Sequence, residues 1–340
     1  MAWTVDWRVI VGGTDMTNPM RPYLISVEVV DRDGVDSDAC SLTFDDSDGQ
    51  VKLPAPRTPV EVMLNGVPVF SGFVDSTPWT LSRGGGRLLQ VSCKAFDTRG
   101  KATENQLWHL DDTTFDKAAQ KAGAAAGFSV QVDPVLASIM RDYWSPDGAS
   151  FIAWGEKISR ELGATFKLQG NRAVFAKRGQ GLSVAGSALP TVFARCGRDG
   201  NVISVNIDPT KGRPRSKTKK VRFFDREEAK FKEKELTIDL EDAGDAIDTQ
   251  RWNAADEDQA GTMAESQKVD AERNAGVGSA QLDLATEAMA EGTLVLTGAR
   301  PGIDGTYRIT GRTHAADRDG GAVTRCELAQ PQGAAGKDDR

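Results

Sequence analysis

With 340 residues, of which 39% are hydrophobic and 27% charged, the chain has the composition of a soluble globular protein too long for one ordinary domain; two to four packed units are expected. A formal net charge of -7 argues against a protein that binds nucleic acid over its whole surface, while leaving local basic patches open. No run approaches ~18 uninterrupted apolar residues, and Met1 to Arg8 lacks a basic flank followed by an apolar core, so neither a membrane span nor a signal peptide is expected.

Thirty-five glycines and fourteen prolines point to many turns and short strands. Residues 1–100 alternate in the strand manner. Ile25, Val27 and Val29 share one face; Cys40 to Phe44 alternates and stops at the turn cluster Asp45 to Gly49; Val60 to Leu64 reaches Asn65-Gly66, a strong hairpin signal. A second hairpin flanks Gly84-Gly85-Gly86. Strands at this spacing suggest a first β-barrel, because closure hides sheet edges.

Over 101–185 the period changes to that of an α/β insert. Thr113 is the expected cap of a helix with Phe115, Ala118, Ala119 and Ala122 on its inner stripe and Gly127 at its end. A second helix starts near Ser150, carries Phe151, Trp154, Ile158 and Leu162 inward, and ends at Gly163. A hairpin around Gly170-Asn171 follows. Residues 186–250 read as strands completing or linking the barrels, with a basic loop and an acidic stretch. Residues 251–330 read as a second β-barrel region, opened by a weakly amphipathic helix over 255–274, and 331–340 as a disordered tail. The fold class expected is mainly β: two small antiparallel β-barrel domains plus an α/β domain.

Catalytic signatures are missing. No G-x-S-x-G, no phosphate loop, no H-E-x-x-H and no C-x-x-C occurs, and Gly84-Gly85-Gly86 is followed by no helix. His109 and His314 stand about 200 residues apart and are expected as packing or surface residues. Cys40, Cys93, Cys196 and Cys326 are widely spaced, which suggests neither a disulfide framework nor a metal site; a cytosolic redox setting follows. No enzyme, cofactor or metal is therefore expected. The remaining candidate is the basic run Lys211, Arg213, Arg215, Lys217, Lys219 and Lys220. It reads as a solvated loop, as a docking contact to an acidic neighbouring subunit, or as a phosphate contact. Lack of interleaved aromatics argues against base stacking. Residues 225–258 hold thirteen Asp or Glu against five Lys or Arg, with no evident role.

The run Asp36-Ser37-Asp38-Ala39-Cys40-Ser41-Leu42-Thr43-Phe44-Asp45-Asp46 resembles the phage late control gene D family, the baseplate hub proteins of contractile tails. Leu53-Pro54, Val69-Phe70-Ser71-Gly72-Phe73-Val74-Asp75, Phe96 to Gly100 before Trp108, and Asp142-Tyr143-Trp144 follow in the family's order. So do Leu162 to Phe166, Asp304 to Ile309, and His314 before Gly320 to Thr324; the likeness spans about residues 5 to 330. The resemblance implies a phage tail hub fold assembled as a homotrimer, in which two barrel units per chain adapt a sixfold tube to a threefold spike around a DNA ejection channel. It implies as partners the tail tube protein, a separate spike protein and other baseplate proteins. The expected location is the virion tail, with synthesis in the host bacterial cytoplasm. The hub of a VgrG-type secretion device is the alternative, although a long spike would then be expected after the hub. A tail-borne cell-wall hydrolase ranks third, for want of any catalytic constellation.

Overall fold

The computed structural model describes residues 3–33, 38–179, 188–209, 211, 216–238, 244–251 and 253–338. A 14-stranded sheet runs through both ends of the sequence. Its main path starts with Val202–Asp208, Val277–Asp283, Gly321–Gln332 and Gly305–Asp317. It continues through Leu24–Arg32, Ala39–Asp45, Gly86–Lys94, Val67–Ser76, Pro59–Leu64, Trp7–Val11 and Thr14–Asp15.

The first core forms because alternate residues of six of these strands are apolar. Trp7 and Val9 on one strand share a core with Val27 and Val29 on another, though four strands lie between them in the ladder; the sheet curls around its own core. Asn65 and Gly66 both have positive φ, 49° and 76°, as a two-residue hairpin of matching twist requires. One expectation shifts here. Leu24, rather than Ile25, joins Val27 and Val29 in the core, because a register irregularity between Leu24 and Ser26 reverses the alternation.

The insert has its own core of Phe115, Trp144, Phe151, Trp154, Phe166 and Phe175. Helix Phe151–Leu162 is capped at Ser150, whose Oγ accepts from the Ala153 N–H at 3.2 Å, and ends at Gly163 with φ 62°. Gly155 lets it press on the sheet, since a Cβ there would lie 2.5 Å from the Phe166 ring. Helix Phe115–Ala126 begins after Thr114, one residue later than expected; the strand Leu110–Thr114, which pairs with Met140–Trp144, runs up to the cap itself.

The second β unit also takes strands from the stretch 186–250. Thr191–Arg195 pairs in parallel with Thr293–Thr297, and Val202–Asp208 pairs with Val277–Asp283, so Val192 shares a core with Leu282, Leu294, Ile309 and Leu328. A sequence boundary at 251 divides strands that pair. Such pairings are set by tertiary packing and leave no local trace. Between these strands lies a fourth body: the sheet of Ser216–Asp225, Lys230–Thr237 and Ala246–Thr249, covered by helix Glu257–Arg273 through Val221, Phe223, Ala260, Met263 and Ala264.

The last segment also differs from expectation. The strand Gly321–Gln332 carries the chain past 331, Ala335 is buried against the second core, and the Gly336 N–H donates to the Gly302 carbonyl at 2.8 Å. Arg300 holds Asp338 at 2.6 Å. A short segment of small residues can dock where glycine turns let the backbone approach closely.

The two β units are joined edge to edge. Gly305–Asp317 pairs antiparallel with Leu24–Arg32, with His314 opposite Val29 and Ala316 opposite Val27. Gly72 marks the tightest strand crossing in the first unit: a Cβ there would stand 2.2 Å from the Lys94 carbonyl oxygen. The Lys94 backbone cannot yield on one side, and the buried Phe70 ring crowds the Cβ position at 2.7 Å on another. Gly72→Ala is therefore expected to cost about 2–3 kcal/mol in urea unfolding, whereas Gly49→Ala, with open space around its Cβ, should cost only its positive-φ strain.

Candidate functional site

Three of the four described members of the basic run lie on a strand and not in a loop. Its described members are Lys211, Lys217, Lys219 and Lys220; Arg213 and Arg215 lie outside the described residues. Lys211 and Lys217 are exposed, and the Lys211 N–H donates to Asp208 Oδ1 at 3.0 Å. Lys217, Lys219 and Lys220 lie on the strand Ser216–Asp225, whose neighbours bring acids into register: Glu235 opposite Lys220, Glu233 opposite Arg222 and Asp248 opposite Lys219. Lys219 is ion-paired with Asp248 and Lys220 with Glu235; Arg222 Nε lies 2.9 Å from Glu233. Its hydrogen bond to Glu235 raises the Lys220 pKa, and the Arg222 hydrogen bond lowers that of Glu233. The acidic stretch thus supplies counter-charge to the basic run, in a solvent-facing ladder where each pair contributes little.

A second charge cluster is buried, and the sequence reading missed it. Asp31, on the first β unit, is 4% exposed. One of its oxygens is ion-paired with Lys167 of the insert; the other accepts from the Ala290 N–H at 3.0 Å and lies 3.7 Å from Arg312 Nε of the second β unit. Asp38 stands 3.5 Å from Lys167. One strand turn further, Arg308 is paired with Asp33 and lies 4.0 Å from Glu291, which is in turn paired with Arg273 at the end of helix Glu257–Arg273. Arg308 also donates to the Arg273 carbonyl at 3.2 Å, and Arg312 to that of Val69 at 3.3 Å. Four cations (Lys167, Arg273, Arg308, Arg312) face four carboxylates (Asp31, Asp33, Asp38, Glu291), so the cluster is charge-balanced.

Titration follows from burial and neighbours. Burial alone would raise Asp31, but the charges of Lys167 and Arg312 outweigh it and hold the carboxyl below its usual range. Asp38 is pushed up to about 6, by burial and then by the adjacent Asp31 charge, against the pull of Lys167. His314, fully buried, accepts or donates through Nδ1 at 2.9 Å from the Thr324 hydroxyl. Burial and the nearby Arg312 push it down to about 3, so it is neutral near pH 7. Asp31, Arg308 and Arg312 are buried while Lys167, Asp33 and Asp38 stay partly exposed; what the arrangement can do is hold bodies in one relative position.

His109 is exposed and stacks on Tyr143 at 6.0 Å. Cys40, Cys93 and Cys326 are buried free thiols. Among the described residues no group of three or more His, Cys, Asp or Glu converges as a metal site, and no helix is long and apolar enough to cross a membrane.

Two curled β units fused edge to edge, an aromatic α/β insert and a small charged sheet make up a fold that solved phage-type tail proteins share. A tail protein from Neisseria meningitidis superimposes with a TM-score of 0.71 over 96% of each chain, at 14% identity. A component of the type VI secretion system of E. coli does so at 0.58, over 93% of this chain and 76% of its own, at 11% identity. The sequence itself aligns with the "Probable baseplate hub protein" of Escherichia phage P2, 23% identical over 195 residues. That match covers 56% of this chain and about half, 49%, of the phage protein. No family model matches the chain. The resemblance drawn from the ordered motifs and these comparisons converge on baseplate hub and tail proteins.

Two outcomes test the junction. Lys167→Met leaves Asp31 and Asp38 facing each other in a desolvated site, and should cost roughly 3 kcal/mol or more in chemical denaturation; adding Asp38→Asn should recover part of it. For pH, unfolded histidine takes its proton near 6.5 and folded His314 only near 3. The unfolded state therefore binds more protons in that window, and stability falls as pH drops, by up to about 1.4 kcal/mol per unit. Asp38, raised in the fold, acts oppositely: the folded state holds its proton first, so its contribution grows as pH falls through about 6. In thermal melts from pH 7 to 4, His314→Gln should flatten the loss and Asp38→Asn should steepen it.

Proposed function

We propose that the chain is a structural hub subunit of a tail baseplate, not an enzyme, and that three copies close into a ring. The observation that carries this reading is the ladder between Leu24–Arg32 and Gly305–Asp317, which makes two curled β units one continuous body. Two such units per chain, repeated three times, would offer six roughly equivalent units to a sixfold tube while keeping threefold symmetry for a spike. Heterologous contacts that close give a finite, rigid passage. The tail protein likeness and the phage P2 relative support the same role. On this reading the partners are the tail tube protein, a separate spike protein and other baseplate proteins. Ejected DNA passes along the ring axis, and the subunit, made in the host cytoplasm, resides in the virion tail.

The hub of a type VI device is a second reading, supported by the likeness to the E. coli component. Because the fold is common to both, the tube partner discriminates: capture of a phage-type tube protein favours the first. Size-exclusion with light scattering should give a trimer at high protein concentration or with tube and spike proteins added. A species that stays monomeric under all those conditions overturns the ring. Incubation with peptidoglycan should leave turbidity unchanged; clearing would restore the hydrolase reading.

A further inference from the structure

Beside the small sheet a cleft of about 1000 Å³ opens between helix Phe151–Leu162, helix Glu257–Arg273 and the strand Ala246–Thr249. Most of the charge in its walls is already spoken for: Lys219 pairs with Asp248, Arg178 with Asp270 and Arg141 with Glu161. Two cations on the exposed face of the first helix, Lys157 and Arg160, line the cleft and have no ion pair among the described residues. The cleft therefore presents two cations with no described counter-ion, in a protein whose formal net charge is -7.

Its remaining walls are rich in carboxamides, and two of them are pre-arranged. Gln267 Nε2 donates to Gln250 Oε1 at 2.6 Å, which leaves the Gln267 carbonyl as an acceptor and the Gln250 amino group as a donor. A neighbouring acceptor and donor of this kind match the N–H and C=O of a peptide group. Gln250 directly follows Ala246–Thr249, which bonds in parallel to Ser216–Asp225 on one side only. Its other side is the margin of the sheet and pairs with no strand among the described residues. All four residues are exposed, Ile247 by 58%, and neither proline nor lysine guards the margin.

We propose that this cleft receives an extended acidic segment of a partner protein. The segment adds as a further strand to Ala246–Thr249, with one peptide group held by Gln250 and Gln267 and its carboxylates held by Lys157 and Arg160. Main-chain pairing supplies sequence-tolerant affinity, and the two cations select for acidic side chains. A single nucleic-acid strand would meet the same cations, but no aromatic side chain among the described residues lines the cleft to stack a base. This site is independent of ring closure.

The test uses the full chain and a fluorescein-labelled peptide of about twelve residues alternating glutamate and threonine, followed by anisotropy. Saturable binding is expected, weakening with salt because the cations are exposed. The double variant Lys157→Glu/Arg160→Glu, whose side chains lie on a solvent face, should melt like the parent and bind about ten-fold or more weakly, which corresponds to about 1.4 kcal/mol. A peptide of the same charge with alternate threonines replaced by proline, which cannot complete a ladder, should bind poorly. No binding by the parent, equal binding by the charge-reversed variant, or equal binding of the proline peptide overturns the proposal. Displacement of the peptide by an oligothymidylate that binds more tightly, with the same dependence on Lys157 and Arg160, assigns the cleft to nucleic acid and overturns it too. Because binding is read on monomer or trimer alike, these results and those on ring closure stand or fall separately.

Discussion

A carboxylate removed from water must be met by cations and N–H donors or it is not tolerated. Asp31 meets that requirement with groups from elsewhere in the chain: Lys167 from the insert, Arg312 and the Ala290 N–H from the second β unit. Each hydrophobic core could be satisfied in many relative placements, since apolar burial has no direction. The Asp31 contacts have direction and length. They select one placement of the first β unit against the other two bodies.

Arg308 extends the constraint. Its guanidinium reaches Asp33 on the first β unit and the carbonyl of Arg273 at the end of the long helix, so the small charged sheet beneath that helix is located as well. The contrast with the outer ladder of that sheet is instructive. Lys220 with Glu235 and Arg222 with Glu233 are as well matched in register as anything at the junction. They remain hydrated and salt-screened, so they steer and solubilise but do not fix geometry. Burial, and not pairing as such, separates the two clusters.

Local structure was legible in the sequence wherever one element's own pattern decided it. Asn65-Gly66 gave its hairpin, and Ser150 with Gly163 bracketed their helix, because turn and cap preferences act over a few residues. Ile25 was misplaced because a single bulge inverts alternation. The stretch 186–250 reads as strands completing or linking the barrels, but the pairing of Thr191–Arg195 with Thr293–Thr297 had no local signature, so the partner strand was not legible. The candidate site fared worse. A basic run separated from an acidic stretch reads as two features until strand register superposes them. Asp31, Lys167, Arg308 and Arg312 each look like ordinary surface charges on alternating strands. A faint signal existed in Arg308, Arg312 and His314, three polar residues at even positions of one strand whose odd positions, Tyr307 and Ile309, are also buried.

The join between Leu24–Arg32 and Gly305–Asp317 also sets a schedule for biosynthesis. The early strand waits for a neighbour about 280 residues downstream, which at ribosomal rates of about 5–20 residues per second is roughly 15 to 60 s. Throughout that interval the first β unit can complete its core yet presents one unsatisfied margin, and Asp31 has no guanidinium to face. Nascent copies on a crowded polysome would therefore share the same sticky border, and delivery of the C-terminal strand is the step that retires it.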